Sequence, residues 1–140
     1  MRAIMTQADL SAFIAREFPQ VCDDFAIERL TEDGIVMRLK VAERHLRPGG
    51  TVSGPSIFAL ADVAVYLAIL ARIGPVALAV TTSSGVDFLR KPAAGVDLIG
   101  TARLLKLGRV LAVGDVLIRS DGQEEPVARA NMTYSIPPRR

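Results

Sequence analysis

Tryptophan is absent from these 140 residues, cysteine and histidine occur once each, and aromatic side chains make up only 5%. Each shortage removes a class of explanation. A lone Cys22 excludes an internal disulfide, and a lone His45 leaves a zinc site without its usual ligands. The simple reading of Cys22 is a small hydrophobe near a helix end. With so few rings, the core must come from Val, Leu, Ile and Ala, in a composition that is 50% hydrophobic.

Charge of one sign is scarce as well. The net charge is +2, and the basic residues form none of the long runs of a nucleic-acid arm. The closing Arg139-Arg140 pair reads as a solvated tail. Nothing near Met1 resembles a signal peptide, because Asp9 interrupts before an apolar region develops, so a cytoplasmic location is expected. The run Ile57 to Ala71 is shorter than the ~20 apolar residues of a membrane span. It also carries Asp62 and ends at Arg72 and Gly74-Pro75. A helix apolar all round but too short to span belongs in a protein interior. The length fits one domain, residues 1–140, with one core.

What is present is an ordered series of elements. Residues 6–18 read as an amphipathic helix with a Thr6/Asp9 capping box and an apolar face of Leu10, Phe13, Ile14 and Phe18. Strand-like runs follow at Phe25–Leu30 and Ile35–Val41, joined at Asp33-Gly34, a hairpin signal. Residues 42–53 lead to Gly54-Pro55-Ser56, a good helix entry because proline there sacrifices no needed donor. A helix over about residues 55–73 is predicted. Three or four strands then follow, roughly Leu78–Leu89, Val96–Lys106, Arg109–Arg119 and Val127–Ile136. In the last, Ala128, Ala130, Met132, Tyr134 and Ile136 share one face. The fold class is α+β, an antiparallel sheet wrapped around one long central helix, plus a short N-terminal helix.

Asp62 is the anomaly. At helical spacing it shares a face with Phe58, Ala59, Val65, Tyr66 and Ile69. An unpaired buried charge costs several kcal/mol, so the site must supply partners, exposure or a function. Two readings stand: a carboxylate satisfied at a subunit contact or a solvent edge, or a base or nucleophile in an apolar pocket. Upstream, Gly54 opens the helix with a free N–H at the positive end of the dipole, suited to a developing oxyanion. An ordinary glycine at a tight helix entry explains it equally simply. The eight-residue spacing puts Gly54 and Asp62 ~12 Å apart at ~1.5 Å per residue. One chain cannot bring both to one carbonyl, whereas two antiparallel helices in a symmetric dimer would.

Residues 45–66, HLRPGGTVSGPSIFALADVAVY, resemble the signature of phenylacetyl-CoA-type hotdog thioesterases, approximately N-x-x-G-x-x-HGG-x-x-x-x-L-A-D-x-A. Residues 85–92, GVDFLRKP, resemble that family's F-L-R-P motif, with Lys91 inserted, and Gly108-Arg109 and Asn131-Met132-Thr133-Tyr134 fall where members carry similar residues. The resemblance, over roughly residues 24–137, implies a hotdog fold, homodimers or dimers of dimers, and acyl-CoA hydrolysis without metal or bound cofactor. It implies Asp62 as base or nucleophile and Gly54 as the oxyanion donor. Ser53, Pro55, Arg47 and Ser84 are expected to line the substrate, and Arg90, Lys91, Gly108 and Arg109 to meet the CoA phosphates. Three positions depart from the pattern: Ser53 replaces the histidine, Pro55 the second glycine, and Arg47 the asparagine.

The leading expectation is an acyl-CoA thioesterase for a small or medium, including aryl, acyl group. The alternative is a hotdog protein that binds acyl-CoA without turnover, favoured by Ser53 and Pro55. A hydratase would need a histidine paired with a carboxylate, and His45 precedes the helix by too much loop. A serine hydrolase lacks G-x-S-x-G. No nucleic-acid or membrane partner is expected.

Overall fold

The computed structural model describes residues 2–138; the Arg139-Arg140 tail lies outside them. Two helices and six strands follow one another as α1 (Gln7–Glu17), β1 (Phe25–Leu30), β2 (Gly34–Leu39), α2 (Gly54–Ile73), β3 (Val80–Phe88), β4 (Leu98–Leu107), β5 (Leu111–Ser120) and β6 (Pro126–Ser135). The strands form one sheet in the order β1-β2-β4-β5-β6-β3, antiparallel at every pairing. This is the expected α+β wrap, with α2 as the central helix.

Local chemistry sets the element ends. The Thr6/Asp9 capping box closes the start of α1 through hydrogen bonds of 3.1 and 2.9 Å. Leu10, Phe13 and Ile14 point inward, but Phe18 leaves the predicted apolar face. It sits beyond the last turn as the C-cap, with φ −136°, and is 40% exposed. Asp33-Gly34 does turn β1 into β2, although Gly34 is absent from the positive-φ glycines. Its requirement is steric, since a Cβ there would lie 1.7 Å from the Ala102 carbonyl oxygen of β4.

Helix α2 has 20 residues, so length alone would permit a membrane span. Burial identifies it as the core helix: 72% of its apolar window is enclosed within the protein, and Leu60, Ala64, Val65, Leu67, Ile69 and Leu70 are fully covered. Each large apolar side chain so buried contributes ~1.5–3 kcal/mol. Gly100 and Gly114 let the sheet approach closely, since a Cβ at either would fall 3.2–3.3 Å from Leu60 or Val65.

One buried cation fastens the far end. Arg72 donates to the carbonyls of Thr31 (2.7 Å), Ala68 (3.1 Å) and Gly34 (3.2 Å), tying the last turn of α2 to the β1–β2 hairpin. Burial depresses the ionisation of Arg72, and the Asp33 charge partly offsets this. Desolvation thus opposes three charge-assisted hydrogen bonds. Removing the side chain takes the 2.7 Å donor from the Thr31 carbonyl and a second donor from the Gly34 carbonyl, which Thr31 N also meets at 3.1 Å, so the bonds should win. Arg72→Met is expected to lose about 2–4 kcal/mol in urea unfolding; an unchanged midpoint would show that desolvation cancels the bonds.

Candidate active site

Asp62 lies on a side of α2 that the described residues leave open. Phe58, Ala59, Asp62 and Tyr66 are half-buried and Pro55 is exposed, whereas Val65 and Ile69, predicted on the same face, are covered completely. The open stripe runs beside β3, a sheet edge whose nine residues are almost all exposed.

Asp62 is neither bare nor salt-bridged. Its Oδ1 accepts from Thr81 Oγ1 at 2.6 Å and from the Tyr134 hydroxyl at 2.8 Å. The Tyr134 hydroxyl also lies 3.1 Å from the Asp62 carbonyl oxygen. Oδ2 has no hydrogen-bond partner among the described residues. Local backbone explains the meeting. Thr81 pairs with Tyr134 across β3 and β6, and the register then slips between Thr81 and Ser83. That bulge lets Thr81 turn toward the helix while the rest of β3 follows a different alternation. Tyr134 is 3% exposed. Burial, reinforced by the adjacent Asp62 carboxylate, holds its phenol well above the ordinary tyrosine range, so it stays a proton donor.

Asp62 borders a cavity of about 470 Å³ whose walls include Phe18, Val63, Tyr66, Leu78, Val80 and Tyr134. This size is within the range of small-molecule sites. A hollow of about 590 Å³ on the outer sheet face, walled partly by the pairs Arg103–Asp115 and Arg129–Asp87, does not include Asp62.

Gly54 stands at the first position of α2, and its N–H has no partner among the described residues. The Phe88 ring covers it so closely that a Cβ on Gly54 would lie 3.3 Å from the ring. Ser53, at the position of the family's histidine, is the N-cap: its Oγ accepts from Ser56 N at 3.3 Å and donates to Ser56 Oγ at 3.0 Å. Pro55 occupies the first turn. Arg47 opens the tight loop 47–50, where Gly50 N donates to its carbonyl at 3.1 Å. Ser84 is exposed in the middle of β3, opposite Met132.

The four residues expected at the CoA phosphates do not converge within one chain. Arg90 follows β3, where it donates to the Pro126 carbonyl and pairs with Glu125 at 3.6 Å, and Lys91 beside it is exposed. Gly108 and Arg109 form the β4–β5 turn and border a separate groove with Val110 and Ile136. Pro126 and Ile136 bracket β6, so the two pairs stand a strand length apart, ~30 Å at ~3.3 Å per residue.

Sequence reasoning missed three contributors. Thr81 required the bulge, which no residue pattern announced. Tyr134 was legible as an inward residue of its strand but not as a partner of Asp62. His45, read as a loop residue, is 6% exposed. Its Nδ1 accepts from Ala42 N at 2.9 Å, its Nε2 lies 3.4 Å from an Asp24 oxygen, and its carbonyl holds Ser53 N at 2.8 Å. His45 therefore anchors the loop that delivers Ser53 and Gly54.

The fold matches known proteins. The family model described as thioesterase superfamily matches residues 49–127. A Silicibacter sp. protein described provisionally as a thioesterase is 60% identical, with a TM-score of 0.93 and an alignment covering 99% of this chain and 96% of that one. A variant of the phenylacetic acid degradation protein PaaI from Thermus thermophilus is 29% identical over 85% of this chain and 99% of that one, with a TM-score of 0.72. A hypothetical thioesterase from Streptococcus pneumoniae, solved with coenzyme A, shares the fold at 22% identity and a TM-score of 0.76, covering 94% of this chain and 98% of that one. No curated protein matches.

Proposed function

The chain belongs to the thioesterase superfamily, and on that premise we propose that it hydrolyses an acyl-CoA to the free acid and coenzyme A, with Asp62 as general base. The observation carrying this reading is the Asp62 carboxylate itself. One oxygen is fixed by two hydroxyls, and the group borders a cavity with apolar walls. Asp62 Oδ2 takes a proton from water as the water oxygen attacks the thioester carbonyl carbon. The carbonyl electron pair moves onto oxygen, where a preorganised N–H stabilises it. Collapse restores the carbonyl and breaks the C–S bond, and the departing thiolate takes up the proton held by Asp62.

The N–H belongs to Gly54 of a second copy. Strand β3 is an uncovered edge beside an uncovered helix stripe, and such an edge invites pairing. Antiparallel pairing of β3 with its copy about a two-fold axis near Ser84 places the Phe88 end of one strand beside the Thr81 end of the other. The partner's Gly54, under its own Phe88, then approaches Asp62. The same rotation brings the partner's Arg90 and Lys91 to the end of the sheet that carries Arg109, so that cations from both chains flank one CoA. Phe18, Val63, Tyr66, Leu78 and Val80 suit a small or medium acyl group, aryl included. Ser53 and Pro55, the departures that favoured binding without turnover, both have local roles at the helix entry.

The test is release of free thiol from a panel of short, medium and aryl acyl-CoAs by the purified protein. Turnover of one class is expected, and turnover of none would sink the reading. A single turnover in heavy-oxygen water should label the acid and leave Asp62 unlabelled; label in Asp62 would instead make it the nucleophile.

A further inference from the structure

A carboxylate on a helix has two free side-chain torsions, so a base must be held if one oxygen is to meet the water. Three observations identify what holds Asp62. First, the Tyr134 hydroxyl reaches both Oδ1 (2.8 Å) and the carbonyl oxygen of the same residue (3.1 Å), so it engages the side chain and the backbone of Asp62 together. Second, Tyr134 cannot easily turn away. It belongs to β6, hydrogen-bonded to strands on both sides, and its ring stacks on Tyr66 at 5.9 Å and 29°. Tyr66 is itself tethered by a 3.1 Å hydrogen bond to the Ala77 carbonyl. Third, the other donor, Thr81, sits at a bulge where the β3–β6 register slips, a less regular anchor than the middle of a ladder. Tyr134 lies beside Asp62 at the cavity wall, and its ordinary structural role would be fulfilled by the ring alone.

We propose that Tyr134 is a positioning residue for Asp62: its phenol clamps Oδ1 and so presents Oδ2 to the attacking water. This inference rests on the thioesterase reading, and the experiment separates the two.

Wild type and Tyr134→Phe are assayed from pH 4 to 9 on whichever acyl-CoA the wild type hydrolyses, beside a thermal melt. Removing one hydrogen bond to a charged group predicts kcat lower by about tenfold to hundredfold, with KM within twofold. The acid limb of the rate profile should move to higher pH, because the base has lost a hydrogen-bond donor. A ring that merely packs would move neither the limb nor kcat. An unmoved limb with kcat within twofold overturns the proposal while leaving the thioesterase reading intact; no turnover by the wild type overturns both. Should Tyr134→Phe fail to fold, 3-fluorotyrosine is incorporated in a Tyr66→Phe background, which leaves Tyr134 as the only tyrosine, and the profile is read against Tyr66→Phe carrying ordinary tyrosine because that change also removes the Tyr66 tether. The more acidic phenol is a stronger donor, so the limb should then move to lower pH; an unmoved limb again overturns the proposal.

Discussion

Replacing Asp62 with asparagine is expected to lower kcat on any hydrolysed acyl-CoA by about 10²- to 10⁴-fold, the usual contribution of a positioned base, while the fold stands. The amide keeps the shape of the carboxylate, and its oxygen can still accept from Thr81 and Tyr134, the two bonds that Oδ1 receives. What disappears is the charge and the second acceptor, since an NH₂ group only donates. KM should therefore change little. Asp62→Ala behaves differently: it leaves the Thr81 hydroxyl without its acceptor and Tyr134 with only the backbone carbonyl of residue 62, so it should also cost about 1–3 kcal/mol of stability. Comparing the two in thiol-release assays and urea unfolding separates chemistry from architecture. An asparagine variant retaining more than a tenth of wild-type kcat would remove Asp62 from the reaction.

The distance between what residues announce and what folding adds is clearest around this carboxylate. Element order, the capping box, the helix entry and the inward face of β6 were legible because each follows from local periodicity or from a residue with one strong preference. Asp62 itself stood out for the same reason, as a charge within an apolar repeat. Its partners did not. Thr81 meets it only because β3 carries an extra residue at the bulge, and Tyr134 only because β6 lies between β5 and β3. These are facts of tertiary pairing that strand alternation cannot encode. Gly34 illustrates the converse: the turn was read correctly, but the physical requirement was space beneath the β4 backbone rather than a left-handed φ. Arg72 and His45 looked like charges at a helix end and in a loop. Both proved buried, because the hairpin and the loop that cover them are distant in sequence or irregular.

The shared site proposed above makes a prediction that no single-chain arrangement can meet. Gly54→Pro removes the amide hydrogen and adds a ring at the helix entry, so a thermal melt accompanies the assay. Ser53, the preceding residue, already has φ −73° and ψ 155°, the extended conformation that proline demands of its neighbour, and proline is tolerated in a first helical turn. A Cβ at residue 54 would lie 3.3 Å from the outer end of the Phe88 ring, which must give by a few tenths of an ångström. Losing one oxyanion donor should lower kcat by about 10²- to 10³-fold. Asp62→Asn is equally crippled for its own reason. Coexpressed with different tags, the two variants form heterodimers in which one site combines the intact Gly54 of the asparagine chain with the intact Asp62 of the proline chain. The other site carries both defects. Isolated heterodimers should then regain about half of wild-type activity, and a random mixture about a quarter, as two-fold symmetry requires. If Gly54 and Asp62 served one carbonyl within a single chain, every site would carry a defect and mixing would give only the mean of two weak parents. Recovery therefore depends on Asp62 meeting the N–H of another subunit.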